Sequence, residues 1–171
     1  NLHFTDDVIH FLKQLHFDNS YLEYLKQFSF SCDVYACMEG EVVFPNCPVL
    51  RVEGNILEAQ LAETMLLNIL NFESLIATKA ARIKHIAGNA SLSDFGLRHA
   101  QGLGSIFATR ASIIGGFETT SNVYGAELYN LPAAGTMAHS LVQCYVDELE
   151  SDRAFANTRH QDCVFLVETH S

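Results

Sequence analysis

The sequence predicts an α/β fold with helices and a small β module ahead of a parallel sheet. Three observations lead to this class. Helical periodicity dominates residues 5–87, a two-residue alternation interrupts it over residues 33–52, and from Ser91 short apolar strands alternate with helical patterns. Repeated strand, helix, strand order implies right-handed crossovers, and therefore a parallel sheet over the second half of the chain.

Composition limits the class of protein. With 171 residues and 49% hydrophobic content, the chain can form one domain with a sizeable core or parts of two smaller domains. The formal net charge of −10 disfavours broad contact with nucleic acid or with an anionic membrane. Five scattered cysteines without a CxxC pair are typical of a reducing compartment, so we expect cytoplasm. No apolar run is long enough to span a bilayer, and acids stand near the start where a signal peptide carries bases.

The first part of the chain predicts two short helices and three strands. Apolar residues recur at helical spacing between Thr5 and Phe30, with Thr5 as an amino-terminal cap and a separation near Asp18 and Asn19. Strands are expected around Val34 and Ala36, around Val42 and Phe44, and around Val49 and Val52, because turn residues separate these runs.

A long helical pattern follows from Asn55 to Ala87, and we expect it to break near Asn71. Its apolar surface is too broad for one exposed face, which predicts a buried helix. Four basic residues lie late in the pattern, where positive charge suits the carboxyl end of a helix; they are Lys79, Arg82, Lys84 and His85. This position favours a structural role for the basic cluster.

Beyond Ser91 the pattern predicts four strands, near residues 91–94, 113–117, 131–135 and 163–168. Ser121 is expected to cap a helix running toward Tyr129, which Asn130 and Pro132 end. A further helix is expected from Leu141 to Ala156, with its acids Asp147, Glu148, Glu150 and Asp152 on a solvated face. A closed parallel barrel needs about eight strands. We therefore expect the chain to be a truncated part of such a fold or to rely on a partner.

Reactive side chains follow the third of these strands. His139 comes after Gly135-Thr136-Met137-Ala138, at a strand end where α/β enzymes place reacting groups, although a structural or solvent-facing role stays open. Thr136 and Ser140 can bond an anion, but Ser140 can equally cap the helix that begins near Leu141. The remaining histidines lack metal-ligand spacing, so we do not expect a metal held by protein ligands alone.

Arg98 follows the strand at residues 91–94 and can point toward the same edge as His139. Its planar fork suits a carboxylate or a phosphate, and an ion pair with Asp94 or a neighbouring acid is the alternative. The sequence contains no GxxxxGK[ST], GxGxxG or GxSxG pattern, so it offers no P-loop, dinucleotide fingerprint or nucleophile elbow.

Five segments taken together resemble the nicotinate phosphoribosyltransferase family: LIATKAARIKHIAG, DFGLRHAQG, GGFETTSNVYGAEL, LPAAGTMAHS and CVFLVETHS. The resemblance runs in order from about Phe11 to Ser171, and the chain looks like an internal fragment of the family's longer protein. It implies a nicotinate/quinolinate phosphoribosyltransferase-like fold. Residues 1–90 then form a helical and β module of the amino-terminal domain, and residues 91–171 form the first part of an irregular parallel α/β barrel.

The resemblance also implies an activity. Members transfer ribose phosphate from phosphoribosyl diphosphate to nicotinate, with Mg²⁺ and with ATP as co-substrate, in NAD biosynthesis, and they act as homodimers with sites at the subunit interface. His139 matches the transiently phosphorylated histidine, and Thr136 and Arg98 match contacts to nicotinate. Gly135 and Ser140 flank that pocket. A neutral imidazole can accept a phosphoryl group, and a fixed cationic fork explains a preference for acid over amide.

Two alternatives stay open from the sequence. A sister enzyme that uses nicotinamide shares a DFG-like segment and a catalytic histidine, although GTMAHS and TSNVYGAEL are closer to the nicotinate branch. The other alternative is a non-catalytic structural or assembly module, because the 171 residues supply about half the strands of a barrel.

Overall fold

A computed structural model describes residues 2–159 and 163–169, which fall into two compact units, one up to Asn71 and one from Phe72 on. The elements in chain order are α1 (Asp6–Gln14), α2 (Asn19–Lys26), β1 (Asp33–Ala36), β2 (Leu50–Glu53), α3 (Ile56–Ala87), β3 (Ser93–Asp94), a 3-10 turn (Gly96–Arg98), α4 (Gly104–Ile114), β4 (Thr119–Thr120), α5 (Val123–Tyr129), α6 (His139–Val142) and α7 (Glu148–Arg159). The mixed α/β class is confirmed. Over the described ranges the two sheets are small and do not close into a barrel, and none of the helices there is both long and apolar enough to cross a membrane.

The two predicted amino-terminal helices are confirmed. The Thr5 hydroxyl accepts a hydrogen bond from the Val8 N–H at the start of α1, as the cap prediction requires. An Asp18 carboxylate oxygen accepts from the Ser20 N–H, 2.8 Å away, at the start of α2. The core between the helices consists of Ile9, Leu22 and Leu25, and Leu61 of α3 packs against it.

A two-stranded antiparallel ribbon follows, with Asp33 opposite Glu53 and Ala36 opposite Leu50. The second of the three predicted strands, around Val42 and Phe44, is wrong. Residues 41–44 lie between two turns, in which the Glu41 N–H bonds to the Met38 carbonyl and the Cys47 N–H bonds to the Phe44 carbonyl. Such local turns leave no run of backbone N–H and C=O groups free to pair with a neighbouring strand.

Helix α3 is continuous over 32 residues, so the predicted break near Asn71 is wrong. Asparagine is a weak helix former, but without glycine or proline beside it the cost is too small to end a helix. The predicted burial of α3 is also wrong. Its large apolar side chains exposed in the structure include Ile56, Leu57, Met65, Leu67, Ile69, Leu75, Ile83 and Ile86.

The second unit contains the parallel pairing that the sequence predicts. β3 lies parallel to β4, with Ser93 opposite Thr119 and Asp94 opposite Thr120. Thr120 also forms a parallel bridge to Ala133. Three chain segments therefore lie side by side in the order β3, β4 and the residues around Ala133.

The strand expected at residues 113–117 is wrong, because α4 continues to Ile114 and Gly115 ends it. Gly115 lies so close to α3 that a β-carbon on it would be 2.5 Å from the Ala77 carbonyl oxygen and 2.5 Å from the Ala80 β-carbon. Helix–helix contact through a glycine thus replaces the strand that the apolar run predicted, and the chain first becomes extended again at β4.

Helix α5 runs as predicted, but its cap is Asn122 and not Ser121. The Asn122 side-chain oxygen accepts from the Gly125 N–H at 3.1 Å, whereas the Ser121 N–H donates to the Asp94 carbonyl oxygen of β3. The predicted end of the helix is confirmed, because Asn130 adopts the left-handed conformation with φ of 53°.

The helix expected at residues 141–156 is two helices. Asp147 starts a new one by accepting from the Leu149 N–H, so this acid caps α7 and does not merely face solvent. Ser140 lies within α6, for which Ala138 is the cap residue, and the predicted capping role of Ser140 is wrong. The strand expected at residues 163–168 is not formed within residues 163–169, although the Val164 carbonyl accepts from the Met137 N–H.

Candidate functional site

The predicted site residues follow neighbouring parallel segments. β3 leads into the 3-10 turn that ends at Arg98, and the residues around Ala133 lead into the segment from Gly135 to Ser140. β4 lies between them, because the Thr120 N–H donates to the Pro132 carbonyl and the Ala134 N–H donates to the Thr120 carbonyl. Parallel segments end at the same edge of a sheet, where open α/β proteins bind ligands. The predicted parallel order of these segments is confirmed, and the placement of Arg98 and His139 at one edge stays a prediction.

His139 is the first residue of α6, and its side chain is 54% exposed. Its Nδ1 lies 3.2 Å from the Thr169 hydroxyl, and its Nε2 lies 3.9 Å from a Glu168 carboxylate oxygen. The hydroxyl can orient the ring, while the Nε2 distance is too long for a hydrogen bond. When Nδ1 carries the proton and donates it to Thr169, the Nε2 lone pair is available to an electrophile from solvent.

Glu168 and Thr169 were missed as site residues by the sequence analysis. They follow the apolar run Val164-Phe165-Leu166-Val167, and polar residues directly after an apolar run are the signal that indicates a strand-end site. The contact between Met137 and Val164 brings this segment beside the one that carries His139.

Arg98 is exposed and ends the 3-10 turn. The alternative that it pairs with Asp94 is wrong, since the structure shows no such ion pair within the described ranges and the Asp94 carboxylate is occupied by other donors. The guanidinium is therefore open to a ligand, and its fork geometry matches a carboxylate or a phosphate.

Asp94 lies four residues before Arg98 and was not among the predicted site residues. Its side chain is buried, and its carboxylate accepts hydrogen bonds from the Gly96 N–H at 2.9 Å, from the Thr109 hydroxyl at 3.0 Å and from the Thr120 hydroxyl at 3.0 Å. These donors belong to the 3-10 turn, α4 and β4. The available signal is an aspartate at the end of one predicted strand together with the threonine pair Thr119-Thr120 farther along the chain.

Thr136, Gly135 and Ser140 are exposed beside His139. Met137 between them is buried and anchors the segment, with 3% of its surface exposed. A β-carbon on Gly135 would meet nothing within 4 Å, so this glycine is not required there by close packing. The Ser140 carbonyl accepts from the Cys144 thiol, and its hydroxyl remains on the exposed side of α6.

The opposite end of the sheet carries a structural cluster. Glu118, just before β4, accepts from the Ser91 hydroxyl at 2.6 Å and from the Lys84 ammonium at 3.0 Å, and these bonds hold the pKa of Glu118 below its ordinary value. Lys84 also donates to the Ala90 carbonyl. The structural interpretation of the basic residues is thus confirmed for Lys84, which fixes the end of α3 near the start of β3.

Several known proteins are similar to this chain in sequence. The family model for the nicotinate phosphoribosyltransferase (NAPRTase) N-terminal domain matches residues 1–71. Nicotinate phosphoribosyltransferase of Bacillus subtilis is 46% identical over 172 residues, covering 99% of this chain and 35% of that protein. Nicotinate phosphoribosyltransferase 2 of Arabidopsis thaliana is 42% identical over 179 residues, covering 99% of this chain and 32% of that protein.

Two solved structures resemble the chain. Human nicotinic acid phosphoribosyltransferase superimposes with a TM-score of 0.76 at 40% identity, over 84% of this chain and 30% of that one. Nicotinate-nucleotide pyrophosphorylase from Pyrococcus furiosus gives a TM-score of 0.77 at 35% identity, over 82% of this chain and 36% of that one. The chain spans about a third of the length of the curated relatives it matches. By sequence and by structure, it belongs to the nicotinate phosphoribosyltransferase family.

Proposed function

We propose that the chain is part of a nicotinate phosphoribosyltransferase, which forms nicotinate mononucleotide and diphosphate from nicotinate and phosphoribosyl diphosphate in NAD biosynthesis. The observation that carries this proposal is the match to relatives of that name along almost the whole chain. The exposed histidine and arginine at one edge of the parallel segments support it, because they supply a nucleophile and an anion-binding group.

His139 is proposed to couple ATP hydrolysis to the transfer. A ring nitrogen attacks the γ-phosphorus of ATP, so that an N–P bond forms while the bond to the β-phosphate oxygen breaks and ADP leaves. Water later takes the phosphoryl group from the imidazole and releases phosphate. The exposure of the ring and its contact with Thr169 suit this role, since the ring must be oriented and still reachable.

Arg98 is proposed to bind the nicotinate carboxylate through two parallel hydrogen bonds, with Thr136 as a second contact and with Gly135 and Ser140 flanking the pocket. The support is the exposed guanidinium, which no carboxylate occupies within the described ranges. A site built for a charged carboxylate discriminates against the neutral amide of nicotinamide, because the arginine would then lose its counter-ion. We therefore propose the acid, and not the amide, as the substrate.

Mg²⁺ is proposed to offset the charge on the phosphates of ATP and of phosphoribosyl diphosphate. Residues 2–159 and 163–169 contain no group of three or more His, Cys, Asp or Glu side chains placed to hold a metal ion. Mg²⁺ does not need a site of three protein ligands, since this ion is commonly held by substrate phosphates and water with one or two carboxylates.

The fold of the whole protein, its oligomeric state and its location are also proposed. The parallel segments are taken as the first part of an irregular α/β barrel, in a homodimer with sites at the subunit interface and in the cytoplasm. The parallel order of β3, β4 and Ala133 supports the barrel, because a barrel is built by continuing such a series. No nucleic-acid or membrane partner is proposed, in keeping with the net charge of −10.

Phosphate labelling tests the role of His139. The full-length protein is incubated with ATP radiolabelled in its γ-phosphate, and we expect an acid-labile, base-stable label that His139→Ala removes. His85→Ala is the matched control, because His85 is an exposed histidine on α3, and it should keep the label. A label of normal intensity in the His139→Ala protein would overturn the assignment.

Substrate discrimination tests the reaction and the role of Arg98. We expect the full-length protein to turn over nicotinate and to ignore nicotinamide, and Arg98→Ala to lower kcat/KM for nicotinate by roughly a hundredfold. Arg82→Ala, at an exposed arginine of α3, is the control and should leave the rate unchanged. Equal rates with the two substrates would remove Arg98 from this role and favour a nicotinamide-using enzyme.

A further inference from the structure

The Asp94 carboxylate occupies a site made entirely of hydrogen-bond donors. It is 7% exposed, and the threonines that donate to it, Thr109 and Thr120, are 0% exposed. Thr109 and Thr120 both bond to Oδ2, and the Gly96 N–H bonds to Oδ1. No cation pairs with this carboxylate over residues 2–159 and 163–169. Three hydrogen bonds satisfy the two carboxylate oxygens in place of an ion pair.

The direction of each hydroxyl bond is fixed by a second partner. The Asn122 N–H donates to the Thr120 hydroxyl oxygen at 3.1 Å, and the Asn122 side-chain amide donates to the Thr109 hydroxyl oxygen at 3.2 Å. Each hydroxyl oxygen therefore already accepts a bond, and its proton is left to point at Asp94. Asn122 is itself held through the Gly125 N–H at the start of α5. The carboxylate cannot rotate without losing several bonds at once.

The hydrogen bond from the Gly96 N–H to Asp94 Oδ1 connects the fixed carboxylate to the turn that carries Arg98. Asp94 accepts from the N–H two residues ahead, which is the geometry of an Asx turn, and Gly96 then starts the 3-10 turn through its carbonyl bond to the His99 N–H at 2.9 Å. A β-carbon on Gly96 would lie 2.9 Å from Asp94 Oδ1, so the turn and the carboxylate are in direct contact. Arg98 is the last residue of this turn.

We propose that Asp94 is a positioning residue for the nicotinate site: it fixes the turn that presents Arg98, and so determines where the substrate carboxylate binds. The inference rests on the proposed function, because it takes Arg98 as the carboxylate-binding group. It also gives the segment GGFETTSNVYGAEL a role, since Thr120 donates to the Asp94 carboxylate and Asn122 fixes the direction of the hydroxyl bonds. A bidentate arginine is sensitive to small errors of placement, because both bonds depend on one planar geometry.

Kinetics of full-length variants test the proposal. In Asp94→Asn an amide NH₂ replaces one acceptor oxygen and faces a donor, so the turn loses its fixed position. We expect KM for nicotinate to rise about tenfold, with KM for phosphoribosyl diphosphate unchanged. Thr120→Val removes one donor at similar volume and should act in the same direction, whereas Thr120→Ser keeps the hydroxyl and should restore the wild-type KM. Asp7→Asn, at an exposed aspartate of α1, is the control for loss of a carboxylate.

A double-mutant cycle separates positioning from general support of the fold. If Asp94 acts through Arg98, then Asp94→Asn adds less than about a twofold change in nicotinate KM once Arg98 is alanine. Additive effects in the double mutant, or an equal rise in KM for both substrates, would overturn the proposal. If neither Asp94→Asn nor Thr120→Val yields a folded protein by circular dichroism, the network serves folding and the positioning role is likewise overturned.

The same measurements distinguish this inference from the proposed function. A wild-type protein that does not turn over nicotinate, or an Arg98→Ala protein with an unchanged nicotinate KM, contradicts the proposed function. An active wild type whose nicotinate KM depends on Arg98 but not on Asp94 contradicts the positioning role alone.

Discussion

At the scale of single residues, Glu58 shows how one buried carboxylate joins two parts of the first unit. It accepts from the Ser31 N–H at 2.6 Å and from the Ser31 hydroxyl, which links the segment before β1 to the first turns of α3. The bond from the Ser31 N–H is the main reason why the pKa of Glu58 is lowered, and burial opposes it. Burial is also the main reason why the pKa of the neighbouring Cys32 thiol is raised, with the Glu58 charge adding to it.

Glu58 should make stability depend on acid pH. Because its pKa is lowered on folding, its carboxylate stabilises the fold above the ordinary value of 4.5, and that contribution is lost as the pH falls through the folded value. We expect Glu58→Gln to lower the urea midpoint of the full-length protein at pH 7, and the difference from wild type to shrink as the pH falls below 4.5. Glu63→Gln, on the exposed side of α3, is the control. A difference that stays constant with pH would contradict the assignment.

The raised pKa of Cys32 predicts slow alkylation. Less thiolate is present at neutral pH, and the thiol is partly covered, whereas Cys37 and Cys47 are exposed. We expect iodoacetamide to modify Cys32 several-fold more slowly than Cys37 at pH 7.5, as measured by peptide mass spectrometry. Glu58→Gln should speed the reaction at Cys32, and equal rates at the two cysteines would contradict the prediction.

The sequence points to candidate site residues by type and position, but not to the groups that hold them. His139 and Arg98 are candidates because a histidine and an arginine after predicted strands are recognisable in one sequence, and their roles stay predictions. The roles of Asp94, Glu168 and Thr169 depend on segments that are far apart in the chain and meet only when it folds. No periodicity or local motif encodes such a meeting.

At the scale of elements, the contact between α3 and α4 depends on Gly115. The space for a side chain at this position is taken by the Ala77 carbonyl and the Ala80 methyl group of α3. Helices in such close contact must separate to admit even one methyl group, because interiors are tightly packed.

Replacing this glycine should therefore destabilise the second unit. We expect Gly115→Ala to cost about 1–3 kcal/mol, the usual range for overpacking, and to lower the Tm of the full-length protein. Gly135→Ala is the matched control for stability, since a β-carbon there meets nothing within 4 Å, and its Tm should stay near that of wild type. An unchanged Tm for Gly115→Ala would show that the helices separate at little cost.

Helices were predicted better than strands for a physical reason. α1, α2 and α5 carry their signals locally, in caps such as Thr5 and in stops such as Asn130. β3 and β4 are two residues long, and their extended conformation depends on each other and on Asp94. The run at residues 113–117 has strand-like composition, yet its first residues complete α4 because the contact of Gly115 with α3 decides the outcome.

At the scale of the whole molecule, the family and the α/β class followed from sequence patterns, whereas the barrel did not. The described residues show two small sheets, and the barrel therefore stays a proposal. The division into residues 1–90 and 91–171 also stays a prediction. Many large apolar side chains are exposed on both units, among them Met38, Val42, Leu75, Ile86, Leu103 and Val123. Exposed apolar surface on this scale is typical of surfaces that other polypeptide covers.

The exposed apolar side chains lead to a prediction about the activity of the isolated chain. We expect the 171-residue chain alone to give no turnover of nicotinate, and the full-length protein to be active in the same assay. The chain covers about a third of the length of its relatives. Binding of an apolar fluorescent dye should be stronger for the short chain. Turnover by the short chain at the full-length rate would contradict this expectation.

The two hydroxyl groups that donate to the Asp94 carboxylate predict a signature in the NMR spectrum. The hydroxyl protons of Thr109 and Thr120 are both inaccessible to solvent and both bonded to one carboxylate. Hydroxyl protons normally exchange with water too quickly to be seen by NMR. These two should exchange slowly enough to give separate downfield resonances, and a deuterium isotope effect on the Asp94 carboxyl carbon should report both of them.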